Sequence, residues 1–165
     1  LPAVQDGPGV LKETLLTELD VLLDELRKRD LTAVVVLNNF WQWSGGMAQY
    51  VQWHTGEEIP YPPPHQNGDW NTFQQYIARF YTLPAAVAQF NEVLKKIVVR
   101  KNTINGILYR EDPTIMAWEL ANEPRGVNQA AAMLAWIDQT AKLIKSIDTN
   151  HLVTTGAEGY TSSPE

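Results

Sequence analysis

An α/β fold built on a parallel sheet is predicted from three observations. Apolar residues recur at helical spacing in several segments. Continuous apolar runs of strand length lie between those segments. The two kinds alternate in the order α-β-α-β-α-β, which implies parallel strands joined by right-handed crossovers.

The first helix is read from Leu15, Leu16, Leu19, Leu22, Leu23 and Leu26, which step by three or four and form one apolar face. Arg27-Lys28-Arg29 suits its C-terminal end. Leu31 to Leu37 follows, apolar apart from Thr32 and rich in Val, and reads as a strand buried on both faces. Residues 38–81 form a long aromatic-rich βα loop broken by Gly45-Gly46, Pro60 and Pro62-Pro63-Pro64, with short helical pieces expected around 46–52 and 70–80. Pro84 opens a second helix with Val87, Phe90, Leu94, Ile97 and Val98 as its buried stripe. Residues 101–112 read as loop and Ile115 to Leu120 as the second strand. Asn128 is the expected cap of a third helix striped by Leu134, Ile137, Ala141 and Ile144. His151 to Gly156 supplies the third strand.

Length and composition fit one domain or part of one: 165 residues, 44% hydrophobic. The net charge is -6 and no Lys/Arg block occurs, which argues against nucleic acid and anionic membrane as partners. The absence of cysteine excludes a disulfide framework and thiolate metal sites. No apolar run is long enough to span a membrane, and Leu1-Pro2-Ala3-Val4 lacks the basic and apolar regions of a signal peptide.

The chemistry concentrates where the second strand ends. Asn122-Glu123-Pro124 places an amide and a carboxylate at a strand-to-loop junction, where catalytic groups of α/β proteins collect. A positioned carboxyl can act as a general acid. Read alone, the tripeptide favours a helix-capping Asn beside a surface Glu; its place after a buried strand favours a site. Glu119 is expected to point away from Glu123. Four tryptophans in one loop, Trp41, Trp43, Trp53 and Trp70, exceed what a small satellite core needs. Flat aromatic platforms beside amides and carboxylates suit sugar rings and other amphipathic ligands. Trp41 lies nearest the end of the first strand and is the leading platform candidate. Asn38 and Asn39 are equally close, either as ligand contacts or as partners of the loop backbone. Glu158, in Gly156-Ala157-Glu158-Gly159, occupies the equivalent place after the third strand, as a site residue or as a surface turn. His54, His65 and His151 have no metal-ligand spacing, so no metal is expected.

Three segments taken together resemble the endo-β-1,4-mannanases of glycoside hydrolase family 5. They are Val36 to Met47 (VLNNFWQWSGGM), Asp112 to Arg125 (DPTIMAWELANEPR) and Ser146 to Gly159 (SIDTNHLVTTGAEG). The likeness runs in order over nearly the whole chain. It implies that residues 1–165 are part of a single (β/α)8 barrel catalytic domain, running from about helix 2 to just after strand 5. A complete barrel needs roughly 250 residues.

The resemblance further implies retaining endo-hydrolysis of β-1,4-mannosidic bonds in mannan, glucomannan or galactomannan. Glu123 matches the acid/base and Asn122 the amide that binds the 2-hydroxyl. Trp41 matches a sugar-stacking residue, and Arg125 and Glu158 match positions on the leaving-group side; Asn39 is added as a substrate-binding candidate. The nucleophile of the family lies on a strand that this chain does not include, so the chain alone is expected to be inactive. The implied partners are β-mannan and the remainder of the barrel, with no cofactor, and the implied location is secreted or periplasmic. A β-1,4-glucan-cleaving relative of the same clan and a non-catalytic sugar-binding fragment are the alternatives.

Overall fold

A computed structural model describes residues 3–159 of the chain. Leu1 and Pro2, half of the N-terminal tetrapeptide discussed above, lie outside the described residues. The centre of the fold is a three-stranded parallel sheet of β3 (Ala33–Val36), β4 (Ile115–Glu119) and β5 (Leu152–Thr154), in that spatial order. Val35 pairs with Trp118, and Trp118 with Val153. The three apolar runs thus become the three strands expected of them.

Before the sheet comes a small antiparallel hairpin, β1 (Gln5–Gly7) and β2 (Val10–Leu11), which the periodicity did not reveal. Gly9 at φ 73° makes its turn. Helix α1 (Glu13–Arg27) follows and ends in the basic run, where Lys28 pairs with Asp24 and Arg29 with Glu25 at helical spacing. Leu16 and Leu23 of its apolar stripe are buried, but Leu22 is 52% exposed and Asp20 takes a fully buried place instead.

Asp20 is buried because the chain brings it partners. Arg100 donates to it through Nε and Nη2 at 3.0 and 2.8 Å, Tyr109 through its hydroxyl at 2.5 Å, and Thr103 through Oγ1 at 2.8 Å. Burial alone would raise the Asp20 carboxyl, but these bonds outweigh it and hold the group below its ordinary value. The 101–112 segment that carries them is more ordered than a plain loop. Lys101 bridges to Leu108, and Tyr109–Glu111 form a short 3-10 turn.

The first strand departs from expectation. Val35 and Leu37 are buried against the helices, while Val34 and Val36 are 39% and 49% exposed. Only one face of the sheet is covered among the described residues, so the run is apolar on both sides without being buried on both. The covering layer comes from the long segment after β3 and from the crossover helices. It holds α2 (Gly46–Thr55), α3 (Trp70–Ala78) with a 3-10 turn at Arg79–Thr82, and α4 (Pro84–Val98). Asp69 caps α3 by accepting from the Thr72 amide at 2.7 Å.

Helix α5 (Ala130–Ile147) closes the layer with Trp136 against Phe80, Tyr81 and Phe90. Of the expected stripe Ile144 is buried and Ile137 packs against the core, whereas Leu134 is exposed and Trp136 and Thr140 take the inward face instead. The expected Asn128 cap is also corrected. The cap position lies one residue later, at Gln129, the helix starts at Ala130, and no side chain caps it.

Candidate active site

The backbone ladder of the sheet continues past the strand ends, and this builds the site. The Leu37 amide donates to the Glu119 carbonyl at 2.9 Å, the Asn122 amide to Asn38 at 2.9 Å and the Phe40 amide to Asn122 at 3.1 Å. On the other side the Leu120 amide donates to Thr154 at 2.9 Å and the Glu123 amide to Gly156 at 3.0 Å. Residues 38–41, 120–125 and 155–158 are thereby held together at the C-terminal end of the sheet.

Two glycines permit this convergence. A Cβ on Gly156 would lie 1.9 Å from the Ala121 carbonyl oxygen and 2.7 Å from the Glu119 carboxylate, and the residue sits at φ 79°. A Cβ on Gly46 would lie 2.4 Å from the Asn39 carbonyl, which accepts from the Met47 amide at 2.9 Å. Both positions require a residue without a side chain. Read from sequence, Gly45-Gly46 signified only a break in regular structure.

Glu123 itself adopts the left-handed conformation, with φ 49°. For a non-glycine residue this stores on the order of 1–3 kcal/mol of strain, the kind that persists only where surroundings impose it. Here the imposing contacts are on both sides. The Gly156 carbonyl holds the amide, and the Trp41 indole Nε1–H donates to the carboxylate Oε2 at 2.7 Å.

The remaining candidates join the same cluster. Asn122 Nδ2 donates to Asn39 Oδ1 at 3.2 Å, and the same oxygen accepts from the Trp41 amide at 3.0 Å. Asn39 therefore serves its own loop backbone and orients Asn122 at once. Arg125 donates from Nε and Nη2 to the two Glu158 oxygens at 2.9 Å each, a planar fork on a carboxylate. Its Nη1 reaches Gln74 on α3 at 3.3 Å, a residue that sequence reasoning missed.

The Arg125 guanidinium also lies 4.8 Å from the centre of the Trp41 ring and covers one of its faces. Trp70 and Phe40 meet that ring edge-on at 5.8 and 5.7 Å, and Trp43 leans on it at 6.3 Å. Trp43 and Trp70 remain 48% and 40% exposed beside it. All six sequence candidates, Asn39, Trp41, Asn122, Glu123, Arg125 and Glu158, are thus brought together. Behind Asn39 a cavity of about 380 Å³ opens between β1, the end of β3 and α2, bordered by Gln5, Val36, Trp43 and Tyr50.

Glu119, on the sheet just below, has its carboxyl raised above the ordinary value by burial. The histidines are placed elsewhere. His151 bonds to Asp148 at 2.6 Å and to the Asp112 carbonyl at 2.9 Å, His54 bonds to Gln89, and His65 stacks on Tyr61. Among the described residues no group of three His, Asp or Glu side chains converges as a metal site.

A family model described as GH family 5 beta-mannosidase-like matches residues 1–165, the whole sequence. This chain belongs to glycoside hydrolase family 5.

Family 5 relatives repeat the likeness at the level of single proteins. Mannan endo-1,4-beta-mannosidase 5 of Solanum lycopersicum is 38% identical over 164 residues, covering 96% of this chain and 36% of the relative. The solved glycoside hydrolase family 5 mannosidase from Rhizomucor miehei superposes with a TM-score of 0.88 at 39% identity, covering 98% of this chain and 38% of that one. The hyperthermostable endo-1,4-beta-D-mannanase of Thermotoga petrophila gives 0.78 at 30% identity, over 96% of this chain and 42% of its own. The chain therefore spans little more than a third of these family 5 relatives.

Proposed function

We propose that residues 1–165 are a segment of a (β/α)8 barrel whose complete form hydrolyses β-1,4-mannosidic bonds with retention, using Glu123 as its acid/base. The single observation that carries this reading is the Glu123 carboxyl. It stands at the end of β4, fixed by Trp41 and flanked by Asn122, in a chain of family 5. The names of the relatives, mannan endo-1,4-beta-mannosidases and endo-mannanases, support mannan as the substrate class. A Rhizomucor miehei relative was solved in complex with mannosyl-fructose.

The chemistry runs in two steps. Glu123 gives its proton to the departing glycosidic oxygen as the C–O bond breaks, and a second carboxylate forms a glycosyl ester with the sugar. Glu123, now ionised, takes a proton from the water that cleaves that ester. Asn122 donates to the 2-hydroxyl of the reacting sugar in both transition states. The second carboxylate must lie about 5–5.5 Å from Glu123 and comes from polypeptide beyond these residues. The exposed side chains of Val34, Val36 and Leu152 support the same view, because completing the barrel would cover them. Polymeric mannan is met outside the cytoplasm, so the same reading gives the whole protein a secreted or periplasmic location.

The test is Glu123→Gln in the complete protein. Hydrolysis of mannan should fall by roughly 10²-fold or more, while mannan binding is retained. Wild-type turnover in that variant would overturn the assignment. Cellulose and mannan oligosaccharides assayed side by side decide between mannan and glucan as substrate.

A further inference from the structure

We propose that Trp41 is a positioning residue for Glu123, its indole N–H fixing which carboxyl oxygen carries the transferable proton. The inference rests on the reading of Glu123 as acid/base and assigns Trp41 a duty other than sugar stacking.

Trp41 Nε1 lies 2.7 Å from Glu123 Oε2, and the two residues meet across 82 positions of sequence. An indole N–H donates and never accepts. The oxygen it faces must therefore offer a lone pair, in the neutral acid as in the carboxylate. The carbonyl oxygen of a neutral carboxyl is its stronger acceptor, so this bond favours the acid form with Oε2 as the carbonyl and the proton on Oε1. Delivery to the glycosidic oxygen then starts from one defined oxygen, and the proton removed from water returns to that same oxygen. Bond and proton counts balance in each step, and Trp41 gains and loses nothing.

The ring is built to hold that bond. The Trp41 amide is tied to Asn39 Oδ1 at 3.0 Å, which also receives Asn122. Phe40 and Trp70 brace the ring edge-on. Arg125 covers one face at 4.8 Å and is itself clamped by Glu158. A ring with one face occupied by a guanidinium is a poor open platform on that side, whereas its N–H edge points at the carboxyl.

The experiment removes the N–H and keeps the ring. In the complete protein, Trp41 is replaced by benzothienylalanine, which has sulfur where the indole has N–H; Trp41→Phe is the genetic counterpart. Values of kcat/KM are measured on mannan and on aryl β-mannosides graded from phenyl to dinitrophenyl leaving groups. The expected result is a loss of roughly ten- to hundredfold on mannan and the phenyl substrate. The dinitrophenyl substrate, whose leaving group departs without a proton, should be nearly unaffected, and KM for mannan should be unchanged in the benzothienyl variant. Wild-type kcat/KM in that variant, or an equal loss across all leaving groups, overturns the proposal. Wild-type mannan hydrolysis by Glu123→Gln overturns instead the reading beneath it, so the two failures are told apart.

Discussion

The Arg125 guanidinium lies 4.8 Å above the Trp41 ring while its Nε and Nη2 grip Glu158. One side chain therefore stacks and forks at once, which lysine cannot imitate. The Arg125 and Glu158 side chains are 37% and 41% exposed, so their ion pair contributes at most about 1 kcal/mol to stability. Arg125→Lys is expected to leave thermal unfolding of the complete protein nearly unchanged. Its kcat/KM on mannan should fall by about tenfold as the support of Trp41 is lost. Parallel melting curves and mannan kinetics check both halves.

Asp20 carries the opposite balance, with stability at stake rather than activity. It is fully buried, and the side chain of its partner Arg100 is only 11% exposed. Asp20→Asn removes the buried carboxylate that pairs with Arg100, leaves the guanidinium charge uncompensated there, and should cost about 3–5 kcal/mol in urea unfolding.

The same group sets a pH dependence. Its folded carboxyl is held below the ordinary value, so the unfolded chain takes up the proton first as pH falls. The stabilisation is present above about pH 4 and is lost as acid titrates the folded group. Unfolding free energies of wild type should decline below that pH, and those of Asp20→Asn should decline less steeply.

Gly156→Ala is expected to damage the site through the backbone. The new Cβ meets the Ala121 carbonyl oxygen at 1.9 Å in a conformation with φ 79°. Either the β5 end or the 121–123 turn must shift, at about 2 kcal/mol or more. Because the Glu123 amide hangs from the Gly156 carbonyl, mannan hydrolysis should fall in protein that remains folded. Circular dichroism with activity on one sample tests this.

Residues 1–165 expressed alone are expected to release no reducing sugar from mannan, since a retaining mechanism needs two carboxyls about 5–5.5 Å apart. Supplying the remaining polypeptide in trans should restore turnover. Turnover by the isolated segment would show that a second carboxyl is already in place.

Much of this arrangement is written locally. The Val-rich run to Leu37, the Ile115 to Leu120 run and the Leu152-Val153-Thr154 stretch each declare a strand, and Asn122-Glu123 declares a site by following one of them. What stays hidden depends on contacts distant in sequence. Asp20 reads as a polar interruption of a leucine stripe until Arg100 and Tyr109 arrive 80 and 89 residues later. Leu134 reads as core until the Trp136 indole claims the inward direction among Phe80, Tyr81 and Phe90. The β1–β2 hairpin is too short for any period to register, though Gly7-Pro8-Gly9 marks its turn. Gln74 carried no signal, because only the fold brings α3 beside Arg125.

The pairing of Val35 with Trp118 and of Trp118 with Val153 also fixes where Glu123 can stand. A one-residue slip of β4 would turn Trp118 outward, turn Glu119 into the helix layer and detach Glu123 from both Gly156 and Trp41. Such a misthreaded chain would keep its secondary structure and lose its acid. Strand register thus decides whether Glu123 reaches Trp41 and Gly156 at all.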